Sequence, residues 1–175
     1  MTLDDQVLIE AAQADPQQFA ALYTKYVDEL RTYLFYHCGQ LDDLADDLTA
    51  DLFTKAFQAL PNFQWQGYSY RSYLYQMARN RLIDYYRSSN HASVELDPET
   101  VTYRNHLAED VDVKIMWEQI RQQGPVVTEL FELRYLQGLS FDEIADIMEK
   151  SAGSLRTLVS RTIDTIQQYF TDFTV

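Results

Sequence analysis

The sequence predicts an all-α chain: two small helical domains, residues 5–88 and 111–175, joined by a flexible acidic linker over 89–110. Three observations predict it. Gly and Pro are scarce, five and four in 175 residues, too few for the many tight turns of a sandwich or barrel. Apolar residues recur at spacings of three and four and nowhere alternate strictly between turn residues. That helical pattern stops at a polar stretch beginning near Ser88 and resumes near Val111. At 46% hydrophobic residues, the chain has enough apolar surface to fill a core.

The elements follow in order. Leu8, Ile9 and Ala12 form a first short helix ending near Ala14. Asp15-Pro16 then supplies an N-cap and a favoured first-turn residue for a longer helix carrying Phe19, Leu22, Tyr23, Tyr26 and Leu30. Gly39 breaks it after about His37. A third helix places Leu41, Leu44, Leu48, Leu52, Phe53 and Phe57 on one side and Asp42, Asp43, Asp46, Asp47 and Asp51 mostly on the others, until Pro61 stops it. An aromatic and amide-rich loop, NFQWQGYSY, precedes a fourth helix from about Tyr70 to Arg87 with Leu74, Met77, Ala78, Leu82 and Tyr85 as its core stripe. The linker is acidic: residues 88–112 hold six acids against one base, a net of −5. Beyond it Val113, Ile115, Met116, Ile120, Val127, Leu130, Phe131 and Leu133 restore helical periodicity. Ser140 and Glu143 have capping-box spacing, Gly138 precedes them as a turn residue, and Ser151 caps a further helix. With Ile144 and Ile147 inward on the short helix and Leu155 and Val159 on the longer one, this is helix-turn-helix geometry, or an ordinary helical hairpin.

Charge poses a puzzle. The formal net charge is −13, which disfavours unassisted binding to nucleic acid. Yet Arg71–Arg87 holds four arginines against one acid, with four tyrosines among them. The single cysteine, Cys38, permits no intrachain disulfide and fits a reducing compartment. No basic-plus-apolar leader and no apolar run near the ~18 residues of a membrane span is present, so the expectation is a soluble, cytoplasmic protein. His37 beside Cys38 lacks further ligands at metal-binding spacing, and no phosphate loop, G-x-S-x-G or triad appears. A non-enzyme without metal or cofactor is expected.

Taken together, the segments resemble the extracytoplasmic-function (ECF) class of bacterial sigma factors along nearly the whole chain. DLADDLTADLFTKAF resembles the core-polymerase-binding helix of region two. YRSYLYQMARNRLIDYYR resembles the segment that melts and reads the minus-ten element, with Tyr73 at a position usually Trp and with Leu74, Ala78, Arg79, Asn80, Asp84 and Arg87 matching. LSFDEIADI followed by GSLRTLVSR resembles region four, which reads the minus-thirty-five element.

The resemblance implies roles for particular residues. Asp43, Leu44, Asp46, Asp47, Asp51 and Phe53 would meet a basic helix pair on the largest subunit of RNA polymerase; the bland alternative is a solvated face. Phe63, Trp65, Tyr68 and Tyr70 would stack on or pocket unpaired minus-ten bases, Arg79, Arg81 and Arg87 would supply charge to the strand's backbone, and Arg71, Tyr73 and Asn80 would join the same minus-ten surface. The alternatives are core packing for the rings and an ion pair with Asp84 for Arg81 or Arg87. Ser151, Ser154, Arg156, Thr157, Ser160 and Arg161 would meet the minus-thirty-five duplex. The implied partners are the polymerase core (clamp helices and flap), promoter DNA as duplex and single strand, and an anti-sigma protein, with no membrane. Region four departs from the family pattern. Glu149 and Lys150 stand where Gly and an apolar residue are common, and the recognition helix has two cations, Arg156 and Arg161, which implies weak duplex contact. A regulator or interaction protein that docks on polymerase without reading promoters is the alternative. The apolar end, IQQYFTDFTV, is expected to pack on its own domain rather than to bind a partner.

Overall fold

A computed structural model describes residues 3–65, 69–88 and 111–172; the expected linker and Tyr68 lie outside these residues. The described residues are helical, with no strand among them, and form two compact units, residues 3–88 and residues 111–172. None of their helices is long and apolar enough to cross a membrane.

The N-terminal unit holds α1 (Leu3–Ala14), α2 (Phe19–His37), α3 (Asp42–Ala59) and α4 (Tyr70–Ser88). Between α1 and α2, Asp15 accepts from the Gln17 N–H at 3.0 Å and Pro16 opens a 3-10 turn, as the Asp-Pro pair predicts. Gly39, at φ +81, ends α2 in the left-handed region. Asp42 and Asp43 occupy the first turn of α3, where carboxylates suit the helix dipole. Leu22, Leu30 and Leu34 of α2 are fully buried, and α2 packs against α1, α3 and α4. The buried stripe of α3 is Ala45, Leu48, Thr49, Leu52, Phe53 and Ala56. Leu41 and Phe57, expected inward, are exposed at 57% and 42%. Small residues let α3 approach its neighbours closely, and that, rather than hydrophobicity alone, sets its register. In α4, Leu74, Ala78 and Leu82 are buried as expected, while Met77 and Tyr85 are half-buried and Tyr70 and Tyr75 join the core.

The C-terminal unit holds α5 (Val111–Gln122), α6 (Pro125–Phe131) continuing into a π-helical turn (Glu132–Leu136), α7 (Phe141–Met148) and α8 (Ala152–Asp172). Gly124 at φ +101 and Pro125 separate α5 from α6. Gly138, at φ +68, turns the chain into α7. The capping box forms: the Ser140 N–H donates to Glu143 Oε2 at 2.9 Å and the Glu143 N–H to Ser140 Oγ at 3.2 Å. Ser151 Oγ accepts from the Ser154 N–H at 3.1 Å and caps α8. Glu129 and Glu132 are buried at 8% and 1%, against the rule that acids face outward, and both are engaged within the structure.

The turn between α7 and α8 is closed by the Lys150 N–H donating to the Ala145 carbonyl at 3.0 Å, with Glu149 at φ +55. A left-handed residue with a Cβ costs about 1–2 kcal/mol, and a carboxylate at a helix C-terminus opposes the dipole. Glu149→Gly is therefore expected to stabilise this unit by about 1 kcal/mol after the extra unfolded-state entropy of glycine, raising its thermal midpoint by roughly 5 °C. Differential scanning calorimetry of the full chain checks it, and a lowered midpoint contradicts it.

Candidate nucleic-acid interface

Two surfaces of opposite chemistry share the N-terminal unit. On α3 the outward stripe runs Asp43, Asp47, Ala50, Thr54, Phe57, all exposed. Its neighbours Asp42 and Asp46 both pair with Arg31 of α2, at 2.8 Å and 2.6 Å, which raises the guanidinium's already high pKa. Asp51 pairs with Arg81 of α4 and, at 3.6 Å, with Lys55. Asp43 and Asp47 alone among these five aspartates have no partner among the described residues. Leu44 is half-buried beside them. Phe53 is a correction: it is 4% exposed, with its ring 6.5 Å from Phe19 and 4.8 Å from Tyr23, so it supports the stripe from inside and cannot touch a partner.

The second surface is built by α4 and the segment entering it. Tyr70 is also a correction: at 1% exposure it is core, and burial raises its phenol pKa, so it cannot stack on a base in this conformation. Phe63 centres a ring cluster, 5.5 Å from Trp65, 5.2 Å from Tyr70 and 5.1 Å from Tyr73. Trp65 and Tyr73 are half-buried at its rim, with edges in solvent. From Tyr73 the outward stripe of α4 continues through Asn80 to Arg87 at heptad spacing, and both of those are exposed. Arg71 is committed elsewhere, donating to Glu29 in a bidentate pair (3.0 and 2.8 Å) that ties α4 to α2. Arg81 meets Asp51 instead of the expected Asp84, joining α4 to α3. Arg79 is half-buried and already engaged in an interaction. Of the expected strand-gripping set, the structure therefore brings Trp65, Tyr73, Asn80 and Arg87 together on one accessible face, with two rings, an amide and a cation.

In the C-terminal unit Leu155, Val159, Thr162 and Ile166 turn α8 inward, while Ser151, Ser154, Arg156, Thr157, Ser160 and Arg161 are all exposed. Arg156 lies 5.3 Å from the Phe141 ring centroid and 3.5 Å from Asp142, so one of the helix's two cations is partly balanced by α7. Thr157 Oγ1 donates to the Gly153 carbonyl at 3.0 Å. Away from this face, Met116, Trp117 and Ile120 of α5, Phe131 and Tyr135, and Phe170 of α8 line an apolar groove of about 810 Å³. Ile166 is buried and Phe170 half-buried, so α8 does pack on its own unit, yet it leaves a trough along its length. The groove had no counterpart in the sequence reading, because it arises where three helices splay and not from any one stripe.

The Sigma-70 region 2 family matches residues 22–92, and Sigma-70, region 4 matches 125–165. The chain is 30% identical over 178 residues to the ECF RNA polymerase sigma factor BldN of Streptomyces coelicolor, covering 94% of this chain and 65% of that protein. It is 26% identical to the ECF RNA polymerase sigma-E factor of Haemophilus influenzae over 94% of both. Among solved structures, the sigma factor RpoE of Bartonella quintana, in complex with the anti-sigma factor NepR, superposes with a TM-score of 0.61 at 20% identity, over 89% of this chain and 98% of that one. That similarity is one of fold.

Proposed function

The chain belongs to the sigma-70 family, in its extracytoplasmic-function class, and from that premise we propose that it directs RNA polymerase to specific promoters and opens them. The observation that carries this is the order of the two regions on two separate helical units, the first bearing an aromatic and cationic stripe beside an acidic one. Asp43 and Asp47 would receive a basic helix pair on the largest polymerase subunit, with Leu44 as their apolar neighbour. Trp65, Tyr73, Asn80 and Arg87 would hold the unpaired minus-ten strand, rings on bases and cation on phosphate. The exposed hydroxyls of α8 with Arg156 and Arg161 would meet the minus-thirty-five duplex, and the apolar groove of the same unit would take the polymerase flap. The partner of RpoE supports an anti-sigma protein as a regulator here too. An acidic chain need not bind DNA alone, since the polymerase supplies the bulk of the phosphate contacts.

In-vitro transcription with purified core enzyme, on promoters recovered from holoenzyme-bound DNA, tests this. Abortive transcripts are expected from the parent chain. Trp65→Ala removes one stacking ring, worth about 1–3 kcal/mol, so open-complex formation is expected to fall about 10- to 100-fold with core affinity unchanged. Core binding without any transcript from the parent chain would instead indicate docking alone.

A further inference from the structure

Gln13 sits in the last turn of α1, a helix outside the region 2 match. Its side-chain Nε2 donates to two backbone carbonyls, those of Leu60 and Phe63, each at 3.0 Å. These stand at the two ends of the 3-10 turn Leu60–Asn62, which the Phe63 N–H closes onto the same Leu60 oxygen at 3.0 Å. A primary amide carries two N–H groups, and here both are spent on one turn. The turn decides where the aromatic segment goes. Leu60 is buried and anchors it to α3, whereas Phe63 has already left helical geometry (φ −66, ψ 128) and leads to Trp65. The helix that presents Gln13 is itself held in register. Asp5 accepts from Tyr26 Oη at 2.6 Å and from Lys25 Nζ at 2.7 Å, while Ile9 and Ala12 are buried.

We infer that Gln13 is a positioning residue for the aromatic loop: its carboxamide sets the direction in which Phe63 and Trp65 leave α3, and through them the discrimination among minus-ten bases. This rests on the proposed role of the loop as a single-strand reader. Gln13 is solvent-exposed, and the core beneath it is closed by Ile9, Ala12 and Leu60.

The test uses the full chain in holoenzyme, a recovered promoter, and copies of it with single substitutions in the minus-ten element. Discrimination is the ratio of abortive transcripts between parent and substituted promoters. Gln13→Glu keeps the shape and replaces both donors with an oxygen facing two carbonyls. It is expected to lower discrimination about fivefold to tenfold, with core affinity, measured by competition, unchanged. Gln13→Lys keeps N–H donors at comparable reach and is expected to retain most of the discrimination. If Trp65→Ala abolishes discrimination while Gln13→Glu leaves it intact, the positioning role is overturned and the loop's role stands. A Gln13→Glu variant with core binding and transcription lowered in proportion on every promoter, at unaltered discrimination, marks Gln13 as part of the scaffold only and also overturns it. Should Trp65→Ala itself leave discrimination intact, the loop does not read bases and the positioning role falls with it.

Discussion

Core polymerase is expected to bind the Asp43→Lys, Asp47→Lys double variant about 100-fold more weakly than the parent chain, since reversing charge at a close interfacial pair costs several kcal/mol. The expectation singles out two of the five aspartates on α3 for a physical reason. Arg31 spans Asp42 and Asp46, and Arg81 with Lys55 takes Asp51, so these three are already partly neutralised by their own fold. Asp43 and Asp47 are exposed one turn apart and have no partner among the described residues. The two lysines repel at that spacing as the two aspartates do, and Asp43→Lys forfeits the favourable first-turn contact with the helix dipole, a cost of about 0.3–1 kcal/mol, so a thermal melt of the variant accompanies the binding measurement to separate lost docking from lost folding. The control compares Asp42→Asn with Asp46→Asn against Asp43→Asn with Asp47→Asn, each of which removes two negative charges, the former two already balanced by Arg31. Because Arg31 already offsets Asp42 and Asp46, their removal should change the field at the docking stripe little, and core affinity is expected to change by less than about fivefold. Competition against labelled parent chain at two salt concentrations measures both, with a shallower salt dependence expected for the lysine variant. Equal damage from the two pairs would mean that docking responds to total charge on α3 and not to this stripe.

How far the sequence could be read depends on how local each interaction is. The capping box at Ser140–Glu143 and the Asp15-Pro16 entry to α2 are set by residues three or fewer apart, and both form as expected. The register of α3 is not local. Its buried face uses Ala45, Thr49 and Ala56, which carry little hydrophobic signal, and leaves Phe57 outside. Burial of Tyr70 and Tyr75 was equally hidden, because a tyrosine reads as apolar or polar according to what stands opposite it. The expectations for the arginines were thinned for the same reason. Arg71 finds Glu29 across 42 residues, and Arg81 finds Asp51 across a helix boundary. Periodicity can place a charge on an outer face, but only the packing of α4 on α2 and α3 shows that the outer face already contains its counter-ion. The accessible face of α4 holds fewer unengaged cations than the arginine-rich sequence suggested, and its stripe is led by a ring and an amide, with Arg87 at its end.

Raising the pH is expected to unfold the N-terminal unit steeply, beginning near pH 10 and through its tyrosines. Tyr26, Tyr70 and Tyr75 are 4%, 1% and 0% exposed. Burial is the main cause that pushes all three phenols above their ordinary value of 10.0, and for Tyr26 the hydrogen bond to Asp5 adds to it. An acid whose pKa is raised on folding contributes stability that is complete below its unfolded pKa and lost as pH climbs from there toward the folded one. Each such phenol costs about 1.4 kcal/mol per pH unit above 10, so the three together give a slope of about −4 kcal/mol per unit. Burial also raises Tyr73, Tyr86 and the Cys38 thiol, which act in the same direction, the thiol from near its ordinary 9.0. Urea unfolding followed by circular dichroism should therefore show stability level between pH 7 and 8.5, sagging by 9.5 and falling sharply after 10. Tyr70→Phe isolates one contribution. Tyr70 Oη is buried without a hydrogen-bond partner among the described residues, so its loss should leave stability at pH 7 unchanged or raise it by up to about 1 kcal/mol. The same variant should make the alkaline slope shallower by about 1.4 kcal/mol per unit. The result bears on function as well as on folding. A lobe equally stable at pH 9 and pH 11 would mean that these phenols reach water in the native state, and Tyr70 would return to the set of rings available to an unpaired base.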